Sequence, residues 1–328
     1  MVKELLDKNR LLNANRINNL KKSQLLSNVI ALVTLLVIFS IVSDNFLTYR
    51  NVSDVIRSYS FLGIAALGQT LVMITGGIDL SVGGIAGLSA ITAGWLMDKM
   101  AVHPYLVLFI GILVGVLCGI INGLIVTKLK IVPFIATIGT MEMFFGLVMV
   151  ITRGVPIFTI PKEVQNVASA DILGMPLPII VFALIAWFAY YLLKNTYIGR
   201  SVFSVGGNAQ AAKMCGLSTE RTQIFVYVLS GILSGIGGIM ALSWLGSGQP
   251  TIGQDWLLPG VAATIIGGTN LTGGKGSIIG TILGIFLIGF LDNGLTMLNV
   301  SPFWRGAVTG IIVIFAVLID VLRNKKQD

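Results

Sequence analysis

PYLVLFIGILVGVLCGIINGLIVT, residues 104–127, runs for 24 residues without a charged side chain. As an α-helix it would extend about 36 Å, enough to cross the roughly 30 Å hydrocarbon core of a bilayer. Its glycines at 111, 115, 119 and 123 fall on one helix face, where a neighbouring backbone can approach closely. Comparable apolar runs lie on either side. Together they make ten, at 24–43, 59–77, 82–97, 104–127, 131–152, 175–193, 224–245, 257–272, 277–297 and 303–321. The third and eighth are short and glycine-rich. Strands of a lipid-facing barrel would alternate apolar and polar residues with period two, and these runs do not. The expected fold is all-α, a polytopic transmembrane bundle of about ten spans.

The rest of the composition agrees. Of 328 residues, 55% are hydrophobic and 11% charged, about half the charged share of a soluble domain. Lysines and arginines divide sixteen to six between alternate loops, so the positive-inside rule predicts both termini on the cytoplasmic side. That asymmetry accounts for the +8 net charge without nucleic acid as a partner. Residues 1–23 read as a cytoplasmic basic segment, 24–321 as the membrane domain and 322–328 as a cytoplasmic tail. Within the basic segment, residues 4–23 have near-helical apolar spacing, which suits either an interfacial helix or a frayed tail. No small-residue cleavage site precedes the first apolar run, so the expectation is a retained first span. Cys118 and Cys215 form no CxxC and no disulfide framework.

Chemistry is sparse. GTNLTGGKG, residues 268–276, resembles a phosphate loop but has five residues between Gly268 and Gly274, and Gly276 in place of Ser or Thr after Lys275. His103 is the one histidine, and neither a nucleophile–base pair nor a metal-ligand cluster accompanies it. The expectation is no enzyme, no catalytic residue, no metal and no cofactor in this chain. Charges within the spans are functional suspects because each costs a few kcal/mol at the bilayer centre. Glu142 and Asp292, with Gln69, Asn122 and Asn293 as polar neighbours, either line a pathway or form structural pairs. Asp320, near Arg323, reads as interfacial.

Two loops stand out. Residues 153–174 are predicted outside. Residues 194–223 are predicted inside, with Gly206-Gly207-Asn208 read as a turn and AQAAKMCG as a short helix closed by Gly216. There is also an echo. ITGGIDLSVGG (74–84) resembles IIGGTNLTGGKG (265–276), and NGLIVTKLKIVPF (122–134) resembles NGLTMLNVSPF (293–303). The two elements are 46 residues apart in the first copy and 26 in the second, a difference of about one span, so a duplication does not fit a simple topology.

GGIDLSVG (76–83) and GRSVFSVGGNAQAAKMCG (199–216), with FIATIGT (134–140), GQPTIG (248–253) and IIGGTNLTGGKGSIIGT (265–281), give a resemblance over almost the whole chain. It resembles the inner-membrane permease subunits of bacterial ABC sugar importers of the ribose, galactose and xylose type. The resemblance implies a second permease copy, identical or a sister chain, and an ABC ATPase subunit that binds ATP and Mg. It also implies an extracytoplasmic sugar-binding protein, and surrounding membrane lipid. It assigns Gly199, Arg200, Gly206, Gly207, Asn208, Ala211, Ala212 and Gly216 to contact with the ATPase. Gly76, Gly77, Asp79, Ser81 and Gly83 become a helix junction beside an inner gate, Asp79 or Ser81 capping the third span. Two departures are Pro259, where relatives often carry an acidic residue, and Glu142, near where they carry an arginine. The competing reading is a self-sufficient ion-coupled transporter working through Glu142 and Asp292.

Overall fold

The computed structural model describes residues 25–172 and 174–301, and then 304, 306–308, 310–312, 314, 315, 317 and 318. The basic segment 1–23, Asp320 and the tail 322–328 lie outside the described residues, as does part of the last span. Helix α1 (Leu25–Val42) is followed by α2 (Tyr49–Ile74), α3 (Val82–Met100), α4 (Pro104–Thr127) and α5 (Pro133–Thr152). A short helix α6 (Lys162–Ser169) and a two-residue hairpin, β1 (Asp171–Ile172) with β2 (Met175–Pro176), lead into α7 (Leu177–Asn195). Then come α8 (Tyr197–Gly207), α9 (Ala209–Met214), α10 (Thr219–Leu245), α11 (Leu257–Ile266) and α12 (Ile278–Met297). The described residues from 304 to 318 are helical.

Among the described residues, seven helices are long and apolar enough to cross a membrane by length and composition: α1, α2, α4, α5, α7, α10 and α12. The bundle is built inside out. Helix α2 from Ser60 to Ile74 and most of α3 are buried, while α1, α4 and α5 turn Leu, Ile, Val and Phe outward, as suits a lipid surroundings. Glycine makes the centre close-packed. Gly111, Gly115 and Gly119 of α4 lie against α10, where a Cβ on Gly115 would run into the Gly231 carbonyl. The glycine face read from the sequence is thus a packing seam.

Two expectations change. The apolar run 257–272 forms only the ten-residue α11, about 15 Å long and half a span, and then a loop. Gly268, at φ +90°, turns the chain out of the helix, and Gly267 meets Gly280 backbone to backbone. The turn read at Gly206-Gly207-Asn208 is also corrected. Helix α8 continues through both glycines, and Asn208 is the N-cap of α9, its Oδ1 accepting from Ala211 N at 2.9 Å. Gly216, at φ +82°, closes α9 as expected.

On the opposite side, the 153–176 segment is fastened down. Ser243 Oγ donates to the Val164 carbonyl and accepts from Ala168 N, and Arg57 reaches Asp171 at 3.6 Å while lying over the Trp244 ring.

Candidate functional site

The junction after α2 is a turn over an entirely buried carboxylate. Gly76 takes φ +82°, which leads the chain out of α2. Asp79 follows with no exposed surface. Its Oδ1 accepts from Ser81 N at 3.0 Å and Ser81 Oγ at 2.6 Å, and its Oδ2 accepts from Ser230 Oγ on α10 at 2.8 Å. Ser81 Oγ in turn accepts from Asn122 Nδ2 on α4 at 2.7 Å, and Asn122 Oδ1 accepts from Thr140 on α5 at 2.7 Å. One carboxylate therefore joins four helices through fully partnered polar groups, the condition under which a buried polar network is stable.

This corrects the capping role. Ser81 occupies the N-cap of α3, but neither its hydroxyl nor Asp79 caps the helix amides; Ser81 sits in a right-handed helical conformation and its hydroxyl turns back to Asp79. The sequence named Asp79, Ser81 and Asn122 but missed Ser230 and Thr140, because nothing local marks partners contributed from other helices.

The echo has a structural counterpart. After α11, Asn270 Oδ1 accepts from Thr272 N at 3.0 Å and Thr272 Oγ1 at 2.9 Å, the same turn that Asp79 makes with Ser81. In the second pair, Lys130 and Asn299 both adopt positive φ, 56° and 54°, each three residues before a Pro-Phe. The unequal spacing resolves too: α3 and α4 separate the two elements in the first copy, α12 alone in the second.

The two turns meet at α8. Gly274 N donates to the Ile74 carbonyl at 2.9 Å, and a Cβ on Gly273 would lie 2.8 Å from the Gly206 carbonyl. A Cβ on Gly206 would strike the Ile74 carbonyl and lie 2.6 Å from Gly274 N. The end of α8 is therefore wedged against both turns at once. Beyond it, Gly207, Asn208, Ala211 and Gly216 are exposed, as is Arg200, while Gly199 and Ala212 are buried and hold the segment to the bundle. Met214, 90% exposed on α9, is an apolar knob the sequence reading passed over; an unburied methionine on a short surface helix was its only signal.

The other end of the junction shapes a cavity. Gly83 of α3 lies against Gly253, itself at φ +86°, and a Cβ on Gly87 would come 2.6 Å from the Ile252 carbonyl. This contact presses the loop before residues 254–256 onto α3 and places Gln254, Asp255 and Trp256 on a cavity of about 940 Å³. Glu142 of α5, Asp292 of α12 and Pro259 of α11 also line it. Of the pathway candidates, Glu142 and Asp292 thus share one space. Gln69 stands behind it, buried on α2 with neither amide atom hydrogen-bonded, its Oε1 2.9 Å from where a Cβ on Gly260 would be. Asn122 belongs to the Asp79 network. Asn293 is exchanged in a mutual amide pair with Asn51 at 2.9 Å, which ties α12 to α2.

Comparison with known proteins follows the same lines. A family model described as "Branched-chain amino acid transport system / permease component" matches residues 51–317. The ribose import permease protein of Bacillus subtilis is 42% identical over 300 residues, covering 90% of this chain and 92% of the relative. The ribose import permease protein of Escherichia coli K12 is 36% identical over 309 residues, covering 92% and 94%. The xylose transport system permease protein of Haemophilus influenzae is 30% identical over 365 aligned positions, covering 91% and 96%. No solved structure matches the chain. With the matched region running from α2 to the last helical stretch, the chain belongs to the family of multi-pass, inner-membrane permease components of bacterial ABC importers.

Proposed function

We propose that this chain is the translocation subunit for a monosaccharide of the ribose and xylose class. It is driven by a separate ABC ATPase and supplied by an extracytoplasmic binding protein. The observation that carries the solute class is the cavity. Its 940 Å³ is ample for a sugar, and its wall offers what a polyhydroxyl solute uses. Glu142, Gln254, Asp255 and Asp292 supply hydrogen-bond acceptors, and Trp256 supplies an apolar ring for a C–H face. Gln69, whose amide has no hydrogen-bond partner among the described residues, adds a polar group beside α11.

In this reading ten segments cross or enter the membrane, α11 as a half-span, and both termini are cytoplasmic. Residues 194–223 form the cytoplasmic coupling segment, with ATP and Mg held by the partner and no cofactor bound here. Gly76, Gly77, Asp79, Ser81 and Gly83 form the hub between that segment and the cavity. A second permease copy closes the cavity along α5, where Gly139 and Gly146 have no neighbour within 4 Å of a built Cβ and Ile135, Met143 and Val150 are exposed. Family membership favours this reading over ion coupling through Glu142 and Asp292.

The test is uptake of radiolabelled ribose, with xylose as competitor, in cells lacking their own pentose importers. The chain is co-expressed with its ATPase and binding protein. ATP-dependent uptake with stoichiometric copurification of the ATPase is the expected result. Uptake that survives ATP depletion and collapses with the ion gradient would overturn the proposal.

A further inference from the structure

A second groove lies on the perimeter of the bundle, away from the cavity, with its tyrosine end near the start of the α8–α9 segment. It runs between α7 and α12, has a volume of about 540 Å³ and is lined by apolar side chains except at Tyr190. Small residues on α7 open it: Ala183 and Ala186 leave the space, while Phe182 meets Phe286 edge to face at 5.9 Å. From Ile179 to Tyr190 it follows α7 for about 16 Å, close to half of the roughly 30 Å hydrocarbon core, the depth of one leaflet.

Its polar end is cationic. Lys194 Nζ donates to Tyr190 Oη at 2.8 Å and lies 5.2 Å from the centre of that ring. Among the described residues, Lys194 has no carboxylate within ion-pair distance. Trp187, 65% exposed and stacked on Tyr191, flanks the same end, the placement of an interfacial aromatic belt.

We propose that this groove is a site for a single anionic phospholipid, one acyl chain lying along α7 between Ala183 and Ile279 and the phosphate resting on Lys194. An apolar slot about 16 Å long, with a lysine beyond its tyrosine end that has no carboxylate partner among the described residues, matches the two halves of such a lipid.

The experiment uses the full-length chain extracted in mild detergent, with native mass spectrometry of retained lipid and thermal unfolding in added phosphatidylglycerol or phosphatidylcholine. The wild-type chain is expected to retain one phospholipid and to be stabilised more by phosphatidylglycerol. Lys194→Gln should weaken phosphatidylglycerol binding about fivefold, the worth of one lysine at an anionic surface, and Lys194→Arg should restore it. Ala183→Phe fills the slot and should abolish retention at unchanged oligomeric mass; Ile279→Trp repeats the test from the α12 wall should that variant not fold. Retention at wild-type level in both filled variants would overturn the site. So would equal stabilisation by the two lipids, or a fall in oligomeric mass on filling, which would mean that protein occupies the groove.

Discussion

At the scale of single residues, Asp79 explains why a chain so poor in charge keeps a carboxylate beside its central helices. Its oxygens gather the backbone and hydroxyl of Ser81 and the hydroxyl of Ser230, and through Ser81 reach Asn122 and Thr140. Alanine at this position leaves three buried donors without an acceptor, so Asp79→Ala should destabilise the detergent-solubilised protein by roughly 2–4 kcal/mol. Asparagine keeps the Oδ1 acceptor, and the Ser230 hydroxyl can rotate to receive the new amide, so Asp79→Asn should lose only about 1 kcal/mol. The second turn already uses that solution in Asn270. Thermal unfolding of the two variants checks the order, and equal losses would mean that the charge itself, rather than the acceptor geometry, holds the network. The sequence makes Asp79 conspicuous as part of a capped, tightly packed helix junction; the structure shows the packing but not the cap. Spacing within 74–84 cannot show that a serine 151 positions away points at the carboxylate.

At the scale of elements, α8 is the piece that touches everything. Its last turn lies against the turn after α2 and the turn after α11, and α9 extends from it into solvent. Motion imposed on α9 therefore reaches both turns through a contact with no side chain to yield. A methyl group at position 206 would be driven into the Ile74 carbonyl and toward Gly274 N, where the neighbours are backbone and cannot rotate aside. Gly206→Ala should abolish or greatly slow solute uptake while the ATPase still copurifies, because the exposed face of α9 is unchanged. Met214→Glu should do the reverse, lowering copurification while leaving the unfolding temperature of the isolated chain within about 2 °C. Loss of copurification in Gly206→Ala would place its effect on docking instead. Element lengths were only partly legible. The 104–127 helix was read to the residue, since an uninterrupted apolar run with proline at its start specifies its own ends. The 257–272 run was not, since the left-handed turn at Gly268 ends α11 inside a stretch whose composition stays apolar.

At the scale of the whole molecule, the bundle sets three features in series: an exposed helix at one end, a buried polar hub, and a cavity whose wall is positioned by Gly83 and Gly253. The apolar runs were enough for the helical bundle, because membrane burial is a property of composition. The hub and the cavity are properties of assembly, and the sequence supplied only their members. Sidedness can be measured without altering the protein, since its two cysteines lie in opposite environments. Cys118 is 3% exposed within α4, and Cys215 is exposed just after α9. In the topology we propose, α9 and Cys215 face the cytoplasm, so a membrane-impermeant maleimide should label one thiol per chain in inside-out vesicles and none in right-side-out vesicles. Burial within α4 blocks the reagent, so Cys118 should react only after denaturation. Addition of the ATPase subunit to the inside-out vesicles should then slow the labelling of Cys215, because the residue adjoins Met214 on the face we assign to docking. Labelling from the outside would invert the topology and with it the assignment of the 194–223 segment to the ATPase.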